Sequence, residues 1–90
     1  MRAAREIIIT GSVQGVGFRW TAKRIADSFG LDGWVRNNSD GSVSLAIEGD
    51  EADLDAFMER LDQTMGAYIA RIESRDSKPG KNRDGFVILR

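Results

Sequence analysis

The sequence predicts an α+β fold: two βαβ halves joined by a hairpin, one further strand at the end, and both helices on one face of an antiparallel sheet. Three observations carry this. Two segments repeat their apolar residues with helical period, Phe18 to Phe29 and Leu54 to Met65. Short β-branched or alternating runs flank and separate them. The chain is 90 residues long with no cysteine, so the elements share one core in a single domain, 1–90, without disulfide support.

The elements follow in order. Ile7-Ile8-Ile9, within Arg5 to Thr10, reads as a strand that stops at Gly11. Gly11 to Gly17 is a glycine-rich loop. Phe18, Ala22, Ile25, Ala26 and Phe29 then line one face of a helix, and Gly30 suits a left-handed C-terminal cap. Gly33 to Asn37 is a second strand. Asn38-Ser39-Asp40-Gly41 predicts a tight hairpin turn with positive φ at Asp-Gly. Val43, Leu45 and Ile47 alternate with Ser42, Ser44, Ala46 and Glu48, which gives a third strand one buried face. Asp50 is placed to cap a second helix whose stripe is Leu54, Phe57, Met58, Leu61 and Met65. Ala67 to Glu73 is a fourth strand whose broken alternation predicts a bulge. Ser74 to Gly85 is polar, holds the only proline, and reads as the longest and most mobile loop. Phe86 to Leu89 closes the chain as a strand.

Composition removes whole classes of function. Without histidine or cysteine there is no Ser-His-Asp triad, no phosphohistidine and no thiolate nucleophile. The net charge of -1 argues against a nucleic-acid binder. No apolar run approaches a membrane span, and the polar start, Met1 to Glu6, lacks the apolar region of a signal peptide, so the expected location is the cytoplasm. No long exposed apolar stripe is visible, and a monomer is expected. Charge is unevenly spread: residues 1–36 carry +3, residues 37–66 carry -7 and residues 67–90 carry +3. No acid lies between Glu6 and Asp27, so the first loop and the helix start favour an anion.

Two segments can carry chemistry. In Gly11-Ser12-Val13-Gln14-Gly15-Val16-Gly17-Phe18-Arg19, glycines let backbone N–H groups turn toward a ligand at a helix N-terminus. Arg19 adds a planar fork of donors suited to phosphoryl oxygens. Glycine spacing alone fits an ordinary strand-to-helix connection equally well. The loop lacks the Gly-Lys-Ser/Thr of a Walker loop and the cysteine of a cysteine phosphatase. In the second segment, Gly33 to Val43, the Asn37 carboxamide can both donate to and accept from a water. Spacing alone favours a simpler role, in which Asn37 and Asn38 do no more than shape the hairpin. The acids Glu48, Asp50, Glu51, Asp53 and Asp55 lack the EF-hand pattern and suit a helix start better than a metal.

Taken together, the two segments resemble the two signatures of the acylphosphatase family, in its order and separation, and the resemblance extends along the chain. It implies a ferredoxin-like α/β sandwich and hydrolysis of the carboxyl–phosphate anhydride of small acyl phosphates to a carboxylate and inorganic phosphate. By motif position, Arg19 would bind the phosphate and Asn37 would orient the attacking water. Backbone N–H groups of Gln14, Gly15, Val16, Gly17, Phe18 and Arg19 would complete the cradle. No cofactor, metal or covalent intermediate is implied. Trp20 and Trp34 could pack against an acyl group, but such residues are more often core or rim. The segment Gln63 to Ala67 departs from a Gly-Pro-containing turn found in many relatives. Two other readings stay open. Related domains sit inside larger maturation proteins that handle carbamoyl phosphate, which allows a non-catalytic phosphate-binding module. An RNA-binding domain shares the scaffold, but the third strand here has no aromatic residue.

Overall fold

The computed structural model describes every residue from Met1 to Arg90. The order is β1 (Arg2–Gly11), α1 (Phe18–Ser28), β2 (Asp32–Asn37), β3 (Val43–Asp50), α2 (Glu51–Met65), a 3-10 turn (Gly66–Tyr68), β4 (Ile69–Ser77) and β5 (Phe86–Ile88). The sheet runs β4-β1-β3-β2-β5. Both helices lie on one face, α1 over β2 and β5, α2 over β1 and β3. The core forms between the layers: Ile7, Ile9, Val35, Val43, Leu45 and Ile47 from alternate strand positions meet Phe18, Ala22, Ile25, Leu54, Phe57 and Leu61 from the helix stripes. This is the α+β sandwich that period-two and period-3.6 patterning specifies.

Several details correct the sequence reading. The antiparallel pairing expected of the sheet holds for β1–β3, β1–β4 and β2–β3. The terminal strand, however, joins β2 in parallel, so the sheet is mixed. A three-residue strand carries no pattern that reveals its direction. The hairpin closes through a three-residue loop, Ser39 to Gly41. Gly41 N–H bonds back to the Asn38 carbonyl, Asn38 N–H bonds to Ser42, and only Gly41 takes positive φ. Asp40 bonds the Ser42 N–H and hydroxyl. Asp50 sits at the start of α2 without a side-chain cap bond; its carboxylate meets the Met1 amino group at 2.7 Å.

Fourth-strand boundaries also shift. β4 begins at Ile69 and runs to Ser77, because Ser74 to Ser77 pair with Ile7 to Ala4 through the backbone. The expected bulge lies at Ala70, between the Thr10–Arg71 and Gly11–Ile69 pairs. The remaining loop, 78–85, is tied down rather than free. Glu48 accepts from Gly80 N–H at 2.6 Å and Asn82 N–H at 3.2 Å, and Asp32 accepts from Gly85 N–H at 2.8 Å. Glu48 itself is fully buried, beneath the Arg2 side chain and the loop whose N–H groups it accepts.

α1 ends as its sequence indicates. Gly30 is left-handed at φ 65°, Leu31 N–H reaches the Ala26 carbonyl and Gly30 N–H reaches that of Asp27. That is a Schellman ending, with Leu31 buried beneath it.

Candidate active site

The site forms where the β1–α1 loop faces the end of β2. Three apolar side chains hang the loop on the core: Val13 and Phe18 are buried, and Val16 packs against the cluster. Between these anchors Gly15 and Gly17 take φ of 78° and 77°. A Cβ at either would meet nothing within 4 Å, so glycine is required there by torsion and not by crowding. The left-handed turns point consecutive N–H groups outward. No backbone N–H from Gln14 to Arg19 is donated to another group of the chain.

The start of α1 is electrostatically open. Gly17 supplies no side-chain cap, and the first turn holds no acid. In α2, by contrast, Glu51 and Asp53 occupy the first turn and answer its dipole. At α1 the positive end therefore faces solvent beside a partly buried Arg19, which makes no ion pair within the chain.

Val13, Gly15, Gly17, Phe18, Arg19, Trp20 and Asn37 line a cleft of about 100 Å³ here. The structure thus brings Arg19 and Asn37 to one cleft from residues 18 positions apart in the chain. The Asn37 Oδ1 is buried and has no hydrogen-bond partner. Buried carboxamide oxygens are nearly always paired, so an orphan beside a cleft marks a place for a ligand or water.

Not every expected residue lies in the lining. Gln14 and Val16 do not. Val16 anchors the loop, and the Gln14 side chain bonds the hairpin instead, at 2.7 Å to the Asn38 carbonyl and 3.0 Å to that of Ser42. Asn38 turns inward on its own hairpin, donating to the Ser42 and Ser44 hydroxyls at 2.9 and 2.8 Å. Trp20 joins the lining, a position the sequence reading left at core or rim. Trp34 lies elsewhere, under the Arg36 guanidinium at 5.2 Å. The acids considered for a metal are dispersed: Glu48 pairs with Arg2, Asp50 with the N-terminus and Asp55 with Arg5.

A phosphoryl group fits this chemistry. Free N–H groups, an uncompensated helix end and a guanidinium all answer negative charge on tetrahedral oxygens. A carboxamide oxygen at the same cleft can take a hydrogen bond from a water.

Comparison with known proteins agrees with that reading. The family model named acylphosphatase matches residues 5–88. An acylphosphatase of Lactobacillus johnsonii is 42% identical over 79 residues, covering 88% of this chain and 86% of that protein. The crystal structure of acylphosphatase from Bacillus subtilis superposes with a TM-score of 0.89 at 33% identity, covering 100% of both chains. The crystal structure of T. kodakarensis HypF matches at a TM-score of 0.84 and 37% identity, covering 98% of this chain and 12% of that one. Sequence and fold agree over nearly the whole length: this chain belongs to the acylphosphatase family and is a hydrolase acting on acyl phosphates.

Proposed function

We propose that the cleft between the Gln14–Arg19 loop and Asn37 is the catalytic centre of this hydrolase. The orphaned, buried Oδ1 of Asn37 is the observation that carries the assignment. In this reading the phosphoryl group rests on the loop N–H groups, with the Arg19 guanidinium on its oxygens. Asn37 accepts a hydrogen bond from a water held in line with the P–O bond to the acyl group. The water oxygen attacks phosphorus, the P–O bond to the acyl group breaks and the carboxylate leaves. The water proton passes to a phosphoryl oxygen, so no strong base is needed.

The energetics are those of positioning. A carboxylate is a good leaving group, and phosphoryl transfer draws its catalysis from orientation and charge stabilisation. The fixed N–H groups and Arg19 stabilise charge on the equatorial oxygens, and Asn37 removes part of the entropic cost of placing the water. The chain offers no histidine or cysteine for a covalent intermediate.

A second reading is a non-catalytic phosphate- or carbamoyl-phosphate-binding module of a larger chain, and HypF is a larger chain with a similar region. There, however, the similar region is 12% of a larger chain, whereas the B. subtilis acylphosphatase is matched end to end. The enzyme reading is preferred for that reason.

We place the protein in the cytoplasm, as one domain working as a monomer on small acyl phosphates. Its exposed large apolar side chains are spread over β1, α1, β4, β5 and the turn before β4. No helix is long and apolar enough to cross a membrane. On β3, Ser44, Ala46 and Glu48 alternate with the core residues and offer no aromatic platform for bases.

The test is hydrolysis of benzoyl phosphate in EDTA by the wild type, Arg19→Ala and Asn37→Ala. Turnover by the wild type that is lost in both variants supports the assignment. Full turnover by Asn37→Ala would remove its role, and folded wild type that binds phosphate without turnover would favour the module.

A further inference from the structure

Trp20 is out of place for a tryptophan. It is 68% exposed, on the solvent side of a helix whose stripe is Phe18, Ala22, Ile25 and Ala26. Tryptophan is highly buried on average, because its large apolar area is costly to leave in water. Trp20 belongs neither to the core cluster nor to an aromatic or cation–π pair, so folding makes little use of its ring. Seven large apolar side chains are exposed on this protein, and Trp20 alone among them lines the cleft that holds Arg19 and Asn37.

The size of the cleft gives that position a meaning. At about 100 Å³ the cleft is small, and Arg19 and the loop N–H groups claim its inner part for the phosphoryl group. The acyl half of the substrate then lies toward the rim. The other lining side chains are buried (Val13, Phe18), absent (Gly15, Gly17) or polar (Arg19, Asn37). A flat apolar surface at the rim is supplied by Trp20.

We propose that Trp20 is the acyl-group platform and makes this enzyme selective for acyl phosphates with aromatic or bulky apolar acyl groups over acetyl phosphate. This rests on the Arg19–Asn37 cleft being the phosphoryl site. Ring-on-ring contact and shielding of an apolar acyl group would contribute a preference of about three- to tenfold. Trp20 would act through binding of the leaving half, so its effect belongs in KM.

The experiment has two arms. In the first, kcat and KM are measured for benzoyl and acetyl phosphate with wild type, Trp20→Ala and Trp20→Phe. We expect the benzoyl-to-acetyl ratio of kcat/KM to fall about three- to tenfold in Trp20→Ala, through KM for benzoyl phosphate, and to be largely restored in Trp20→Phe. A ratio unchanged in Trp20→Ala would overturn the platform and leave the catalytic assignment intact. The second arm reads binding without turnover. In a Trp34→Phe background, where Trp20 is the sole tryptophan, fluorescence is titrated with phenacylphosphonate and acetonylphosphonate, in which methylene replaces the bridging oxygen. Tighter binding of the phenacyl compound, with a change in Trp20 emission, supports the platform even if Arg19 and Asn37 prove non-catalytic. Equal binding of the two, with no change in emission, overturns it.

Discussion

The Gln14 side-chain amide donates to the main-chain carbonyl of Asn38 at 2.7 Å, and so ties the phosphate-type loop to the residue next to Asn37. A second bond from the same nitrogen, 3.0 Å to the Ser42 carbonyl, spans the hairpin. One amide thus holds the two halves of the proposed site in register: N–H donors on one side, the water-orienting carboxamide on the other. We expect Gln14→Ala to lose about 1 kcal/mol of stability and about tenfold in kcat. Gln14→Glu should be worse than Ala, because an ionised carboxylate would face two carbonyl oxygens. Urea melts and steady-state kinetics on the three proteins decide it. A Glu variant as active as wild type would show that the tether does not matter.

Arg19 makes no ion pair and no side-chain hydrogen bond within the chain, so the fold does not depend on it. Replacing it should leave stability within about 0.5 kcal/mol, as for other surface changes. Activity should fall by about a thousandfold or more in Arg19→Ala, the scale on which arginines act in phosphoryl transfer. Arg19→Lys keeps the charge and loses the planar fork, and we expect it to recover only a small part of the loss. The check is kcat/KM beside a thermal melt. A lysine variant near wild-type activity would reduce the requirement to charge alone.

Gly17 separates torsion from crowding. Its φ is 77° and its missing Cβ would point into open space. Gly17→Ala therefore costs only the left-handed penalty, about 1–2 kcal/mol, which the chain can escape by rotating the peptide and misdirecting the N–H groups beside it. We expect Gly17→Ala to weaken inhibition by inorganic phosphate more than it lowers the urea midpoint. Gly17→Asn should keep more of both, since Asn tolerates this region. If Ala and Asn behave alike, backbone direction at residue 17 is not what forms the cradle.

How much of this was legible in the chain depends on whether a feature is periodic. The stripes of α1 and α2 and the alternation of β3 could be read directly, because burial repeats with the backbone. That Trp20 meets Asn37 at one cleft could not be read, since it takes the closure of β1–α1 against β2 to bring them together. Residues 74–77 were missed because an edge strand with most of its side chains in water carries no apolar signal, only backbone pairing to β1. Glu48 was missed for the opposite reason. It falls at a solvent-phase position of an alternating strand, yet its partners, Arg2 and the N–H groups of Gly80 and Asn82, lie far away in sequence. The motifs named Arg19 and Asn37, but not the orphaned oxygen that distinguishes Asn37 from its neighbour Asn38.

Glu48 makes the last expectation one of pH. Burial alone would raise its carboxyl pKa, but the Gly80 N–H, the Arg2 guanidinium at 2.9 Å and the Asn82 N–H together outweigh it and hold the pKa below the usual value. Asp32 is lowered in the same direction, chiefly by its hydrogen bond from Arg2 and despite partial burial. A carboxylate with a depressed folded pKa stabilises the fold fully above its unfolded pKa, about 4.3 for Glu. That contribution is lost as pH falls through the lower, folded value. Glu48→Gln keeps the shape but replaces an acceptor by an amide donor that faces Arg2 or a loop N–H, and should cost about 2–3 kcal/mol at neutral pH. We expect the stability gap between wild type and Glu48→Gln to be constant above about pH 6 and to shrink below about pH 4 as the wild-type carboxylate takes up its proton. Urea denaturation from pH 7 to pH 3 measures it. A gap that does not change with pH would mean that packing, and not the ionised clamp on the 78–85 loop, is what Glu48 contributes.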